Sequence, residues 1–282
     1  MQTMSDRTRL VPMLVIAIGI LITAFPLWIT FVASTLTTRQ IAQGMPLWPG
    51  QHMVENYLQA LFGSATTRIV SPPVWSMMWN SLIMALVIAL GKIAISIVSA
   101  YAVVFFRFPG RMFFFWMIFI TLMLPVEVRI VPTYQVVSSL GLLNTFAGLT
   151  VPLIASATAT LLFRQFFLTI PDELVEAAKM DGAGPIRFFK DVVLPLSATN
   201  IAALFVILFI YGWNQYLWPL LITTTASMDT IVIGITKMIA SGDAATDWHT
   251  VMATTIFALL PPTLVVLLMQ RWFVKGLVDS EK

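Results

Sequence analysis

The sequence predicts an all-α integral membrane protein with six transmembrane helices and one cytoplasmic helix-turn-helix segment. Three observations carry this. First, the 282 residues are 59% apolar and only 10% charged. A soluble domain carries about 25% charged residues, so this chain lacks the side chains to cover a water-facing surface. Second, the apolar residues fall into six runs near the roughly 20 residues a membrane helix needs. Third, one polar island, residues 168–197, interrupts that pattern two-thirds of the way along. A single membrane domain over residues 1–282 is expected.

The first span is expected at 10–34. Arg7 and Arg9 precede it as in a signal peptide, but the apolar run exceeds the usual core of about 7–15 residues, so the span is expected to be retained. Pro26 should bend it. Residues 37–75 read as a polar connection punctuated by Gly44, Pro46, Pro49, Gly50, Pro72 and Pro73. Within it Val54, Tyr57, Leu58 and Leu61 fall at helical spacing and predict a short amphipathic helix on the membrane surface. The second span is expected at 77–106, ending in the basic turn Phe106-Arg107-Phe108-Pro109-Gly110-Arg111. The third covers 112–131, with an end made irregular by Pro125, Glu127, Arg129 and Pro132. Gly141 and Asn144 lead into the fourth, 146–167. The fifth covers 198–222. Residues 223–249 read as a polar loop with Asp229, Lys237, Asp243 and Asp247, and the sixth span covers 251–273 before a charged tail.

Six spans put both termini on one side, and the basic residues say which. With the N-terminus inside, the cytoplasmic segments hold Arg7, Arg9, Arg107, Arg111, Arg164, Lys179, Arg187, Lys190, Arg271, Lys275 and Lys282. The outer loops hold only Arg39, Arg68 and Lys237. This positive-inside bias places 168–197 in the cytoplasm.

Several function classes are excluded or disfavoured. There is no cysteine, and the two histidines, His52 and His249, stand in different loops. Disulfides and thiolate chemistry are out, and a dedicated metal centre is not expected. No GxxxxGK[ST] loop is present, so ATP hydrolysis by this chain is not expected. The basic residues lie scattered at span ends rather than gathered in a nucleic-acid patch. No internal repeat supports an ion-coupled secondary transporter, and no pair of intramembrane aspartates supports an intramembrane enzyme.

Segment 168–197 has the grammar of two helices and a hinge. Pro171 suits a first helical turn, and Asp172 and Glu173 complement the positive helix N-terminus. Leu174, Ala177 and Ala178 make a small apolar face. Asp181-Gly182 is a helix stop, Pro185 restarts a second helix carrying Phe188 and Phe189, and Leu194-Pro195-Leu196 returns the chain to the bilayer. The plain alternative is a solvated connecting loop. Two helices about a glycine, with a phenylalanine pair expected to face the cytoplasm, favour a partner site.

Inside the spans, Lys92, Glu127 and Arg129 are conspicuous. Intramembrane ionisable groups usually face protein or a water-filled path. Arg129 with Lys92 could meet a substrate's phosphate; alternatively Arg129 pairs with Glu127 or snorkels, and Lys92 packs against a partner permease. Trp213, Asn214, Gln215 and Tyr216, midway along the fifth span, read equally as a lining for a translocation path or as interhelical hydrogen-bonding groups.

Glu176-Ala177-Ala178, Gly182 and Leu194-Pro195 match in register the EAA loop of ABC-importer permeases. Val192 and Thr199 are modest departures from that pattern. Asn56-Tyr57, Asn80-Ser81-Leu82, Tyr101-Ala102 and Gly141-Leu142-Leu143-Asn144-Thr145 resemble its carbohydrate-uptake branch. The stretches 122–129, 211–220 and 276–282 resemble the permeases of glycerol-3-phosphate importers. The resemblance implies a non-catalytic permease of the bacterial inner membrane working by alternating access. It implies a second permease, two copies of a cytoplasmic ATPase holding ATP and Mg²⁺, and an external solute-binding protein, with no cofactor on this chain. It assigns Glu176, Ala177, Ala178, Asp181, Gly182, Phe188, Phe189, Leu194 and Pro195 to ATPase docking, and adds the C-terminal tail as a further contact. A neutral sugar is the alternative cargo.

Overall fold

The structure, a computed structural model, describes residues 6–63, 72–123, 126–240 and 246–279. Arg68, Pro125, Asp243 and Lys282 lie outside the described residues, as do the side chains of Arg7, Arg9, Glu127 and Lys275. The chain divides into two compact units, 1–75 with 234–260 and 76–233 with 261–282.

In the first unit α1 (Asp6–Ser34) runs through Pro12 and Pro26. Nearly all its apolar side chains from Val11 to Trp28 are exposed, as suits a helix bathed in lipid. Its C-terminal carbonyls need partners that a membrane cannot supply. Asn56 provides them: its Nδ2 donates to the carbonyls of Ser34 and Leu36, both at 2.8 Å. Asn56 sits on α3 (Met53–Phe62), the expected amphipathic helix, which leaves Val54 and Leu58 exposed while Asn56 and Ala60 turn inward. Between them α2 (Thr38–Gln43) starts from a capping box of Thr37 and Gln40. His249 lies within a helix rather than a loop, with Nδ1 2.8 Å from Thr38 Oγ1.

The second unit is organised around α4 (Val74–Phe105). It is followed by α5 (Arg111–Met123), α6 (Val126–Ser139), α7 (Phe146–Thr150) and α8 (Ala157–Phe167). Next come α9 (Asp172–Met180), α10 (Pro185–Phe188) and α11 (Leu194–Leu196), then α12 (Ala198–Trp213) and α13 (Leu217–Ile222). The chain ends with α14 (Ile231–Ala240) and α15 (Trp248–Asp279). Met84 and Ile88 of α4 share a buried cluster with Ile130, Val137, Leu149, Trp218 and Ile222. Gly212 lets α12 approach α4 closely, since a Cβ there would fall 2.9 Å from the Ala85 Cα. Without a hydrophobic drive between helices in lipid, small residues at contacts are what permits such packing.

The expectation of six plain spans is corrected in form. Among the described residues, three helices are long and apolar enough to cross a membrane: Val11–Ser34, Val74–Phe105 and Trp248–Trp272. The fourth run is bent by 46° between Phe146–Leu153 and Ala157–Phe167, where Ser156 caps the second piece. The fifth meets the preceding segment at a 69° bend and breaks again after Trp213. The third run is covered by α5 and α6 on either side of residues 124–125, which lie outside the described residues. A second correction concerns 223–249. The stretch read as a polar loop contains α14, with Ile231, Ile233 and Met238 buried, and Asp229 is only 1% exposed.

Candidate functional site

The 168–197 segment folds as two helices about a glycine. Pro171 takes the N-cap rather than the first turn, with φ −60° and ψ 139°, and Asp172 and Glu173 open α9. The far end is a Schellman closure. Gly182 at φ +71° donates to the Lys179 carbonyl at 3.0 Å, and Ala183 donates to Ala178 at 2.9 Å. A Cβ on Gly182 would touch nothing within 4 Å, so the demand is purely on backbone conformation. α9 has no buried residue. Nine residues without packing make a marginal helix in water. The Schellman closure and the first-turn carboxylates of Asp172 and Glu173 support it, and its exposed surface, including Glu176 and Ala177 beside the half-buried Ala178, is available to a partner.

The second half differs, and here the sequence reading is corrected. Phe188 and Phe189 were expected to face the cytoplasm. Phe188 is instead buried at 6% exposure and Phe189 half-buried. Phe188 packs edge-on against Phe105 at 5.3 Å between ring centroids, and Phe189 lies 4.9 Å from Tyr101. The Tyr101 hydroxyl donates to the Pro185 carbonyl at 2.7 Å. Phe105 in turn meets Phe167 at 5.9 Å. The ring pair thus bolts the segment to the end of α4, whose Tyr101 and Phe105 stand there to receive it. A π-helical turn over Phe189–Val193 carries the chain to Leu194-Pro195-Leu196, all exposed, with Val193 fully buried behind them. The side chains that face outward are ones sequence reasoning missed: Met180 at 83% and Ile186 at 81% exposure. Their positions mark them: Met180 is the last residue of α9 and Ile186 lies in α10 just before the inward-facing pair.

The intramembrane candidates sort differently. Lys92 is buried within this chain, not left for a partner to cover, and its Nζ stands 3.9 Å from the centroid of the Tyr211 ring. A charge at the bilayer centre costs about 2.5–3.5 kcal/mol on insertion scales; the ring face offsets part of that. Arg129 is exposed on α6. Trp213, Asn214, Gln215 and Tyr216 do not lie inside a helix as expected. α12 stops at Trp213, which is buried and stacked on Phe209 at 6.0 Å, and Asn214 is the C-cap. Asn214 and Tyr216 are exposed, and the Gln215 Nε2 donates to the Tyr211 carbonyl at 3.1 Å. Gln215 therefore bonds its own helix end rather than a neighbouring helix. Irregular backbone at membrane depth persists only where protein covers it or a water-filled cavity receives it, which suits a path lining.

Broken apolar helices around a buried cation, with a capped helix held out beside them, define a membrane transport component. The family of binding-protein-dependent transport system inner membrane components matches residues 92–279. The chain belongs to that family. It is 62% identical over 276 residues to the sn-glycerol-3-phosphate transport system permease protein UgpE of Brucella melitensis, covering 98% of each chain. Identity to the protein of the same name from Agrobacterium fabrum is 61% over 275 residues, 97% of each. For that from Pectobacterium atrosepticum it is 60% over 266 residues, 94% of each. Among solved structures, a bacterial ABC transporter involved in import of the acidic polysaccharide alginate superposes with a TM-score of 0.81 at 21% identity, covering 97% of this chain and 99% of that one. That likeness speaks to the fold.

Proposed function

We propose that this chain is a permease subunit of an ATP-driven importer that moves sn-glycerol-3-phosphate, or a related glycerophosphodiester, across the inner membrane by alternating access. The observation that carries the reading is the 62% identity, over 98% of both chains, to a permease named for that substrate. The largely exposed α9, closed by Gly182, supports it as a docking element. In this reading a second permease completes the path. Two copies of an ATPase bind ATP and Mg²⁺, and this chain binds neither. An external binding protein delivers the cargo, and both termini lie in the cytoplasm. Glu176, Ala177, Ala178, Asp181 and Gly182, together with Met180 and Ile186, meet the ATPase. Leu194 and Pro195 lead back to the span. Phe188 and Phe189 act one step behind, passing the movement of the docked segment to α4.

The test is import into proteoliposomes holding both permeases and the ATPase, with binding protein added outside. ATP-dependent uptake of labelled sn-glycerol-3-phosphate, and not of a neutral sugar, is the expected result. Uptake of the sugar alone would overturn the substrate, and uptake without ATP would overturn the transporter class.

A further inference from the structure

A cavity opens where the 168–197 segment meets the end of α4. It holds about 310 Å³, at the low end of ligand-sized clefts, which run from about 300 to 1,000 Å³. Val98, Tyr101, Ala102 and Phe106 wall it on one side, Ile186 and Phe189 on the other. Apart from Tyr101 these side chains are hydrocarbon, and the Tyr101 hydroxyl already donates to the Pro185 carbonyl at 2.7 Å. The cavity therefore suits an apolar guest.

Depth and charge say what kind of guest. α4 has 32 residues, so it is about 48 Å long at about 1.5 Å per residue. A bilayer with its headgroups is about 40–45 Å thick, which puts the last turns of this helix at the headgroup layer. An apolar ridge leads to the cavity from deeper in the same helix. Leu90, Ala94, Val98 and Ala102 follow one another four residues apart, and the first three are exposed. At the cavity itself, three wall residues are each followed in the chain by a cation: Phe106 by Arg107, Ile186 by Arg187 and Phe189 by Lys190. Consecutive Cα atoms stand about 3.8 Å apart, so all three cations start at the rim. Arg187 is engaged by Asp191 at 3.3 Å, whereas Arg107 and Lys190 are exposed.

We propose that an anionic phospholipid of the surrounding membrane occupies this site. One acyl chain follows the α4 ridge into the cavity, and the phosphate is held by Arg107 and Lys190. An apolar slot with a basic rim at headgroup depth matches both parts of such a lipid, since basic pockets beside membrane helices hold anionic headgroups. A guanidinium fork and an ammonium point charge both suit a phosphate. A zwitterionic lipid brings the same chain but no net charge for the rim to hold. Ile186, 81% exposed, forms the outer edge, and its outward side stays free for the ATPase contact proposed above.

The experiment uses the whole complex, both permeases with the ATPase, in nanodiscs containing phosphatidylglycerol with a photoreactive diazirine in one acyl chain. Phosphatidylcholine with the same chain is the comparison, and labelled peptides are mapped after illumination. Each cation near an anionic headgroup is worth about fivefold, so labelling of Val98, Ala102 or Phe106 should be about tenfold or more stronger from the anionic lipid. The exposed face of α1 should label alike from both. Arg107→Gln with Lys190→Gln should remove the anionic preference at the cavity and leave α1 labelling unchanged. Equal labelling of the wild-type cavity by the two lipids would mean ordinary boundary lipid and would overturn the proposal. A cavity that takes no label in the assembled complex would belong to a partner subunit, which would overturn it too. If the double variant fails to assemble, competition in the wild type decides. Excess unlabelled phosphatidylglycerol should displace the probe from the cavity and phosphatidylcholine should not; equal displacement would refute the site.

Discussion

The two halves of the 168–197 segment are built on opposite terms. The first, α9, has no buried residue and is closed at its C-terminal end by backbone bonds around Gly182. The second hides Phe188 and Val193, ties Pro185 to the Tyr101 hydroxyl and sets Phe189 against the Tyr101 ring. Gly182 separates them. An element that must grip a moving partner needs a free surface, whereas one that must pass force to a span needs rigid attachment. In the docking reading proposed above, the left-handed turn at Gly182 would let two short helices divide that work. The contrast can be tested by striking each half and the joint, in order of the damage expected to this chain's own fold.

The largest effect belongs to the attached half. Phe188→Ala empties a site walled by Phe105 and Tyr101, and large-to-small core changes of this kind cost about 3–5 kcal/mol. Thermal unfolding of the purified complex should shift down clearly, and import should fall with it. A midpoint unmoved from wild type would mean that the second half is not anchored by its ring.

The joint comes next. Gly182→Val places a β-branched residue at φ +71°, where side chains are disfavoured although space is open. The strain is about 1–3 kcal/mol and local to the turn. ATP hydrolysis should continue while import drops, so phosphate released per substrate imported rises several-fold. Gly182→Asn, whose side chain tolerates that conformation, should keep the ratio near wild type. Equal loss in both variants would point to a steric fault rather than a conformational one.

Much of this arrangement was legible in the sequence, because local rules govern it. Asp172, Glu173, Asp181 and Gly182 are helix-end signals, and they act as read. Among the described residues, three of the apolar runs fold as helices long and apolar enough to cross a membrane. What could not be read depended on tertiary neighbours. Phe188 and Phe189 looked like exposed anchors because nothing nearby in the chain could cover them; their cover comes from Tyr101 and Phe105, some eighty residues away. The break after Trp213 was hidden because Tyr216, Leu217 and Trp218 keep the run apolar; in the structure Trp218 is held in a buried cluster and its indole N–H donates to the Gly148 carbonyl at 3.0 Å. Helix α14 was missed for a different reason. Asp229, Lys237, Asp243 and Asp247 suggested a loop, yet the residues from Ile231 to Ala240 are almost all apolar, and their run outweighed the charges.

The smallest effect on the fold should come from the free surface. Met180 and Ile186 are exposed at 83% and 81%, and substitutions at such positions usually change stability by no more than about 0.5 kcal/mol. Met180→Ser with Ile186→Ser should therefore unfold at the wild-type temperature. Association is another matter. If these side chains enter a groove on the ATPase, each removes apolar burial worth about 1.5–3 kcal/mol, so the double variant should retain the ATPase at least tenfold more weakly in a co-purification titration. Because Phe188→Ala attacks the fold and this pair leaves it intact, the two experiments separate attachment from docking. A double variant that binds the ATPase normally would move the docking face to Glu176, Ala177 and Leu174 on the same helix. Its outward side chains could then be exchanged for charged ones to find where contact begins.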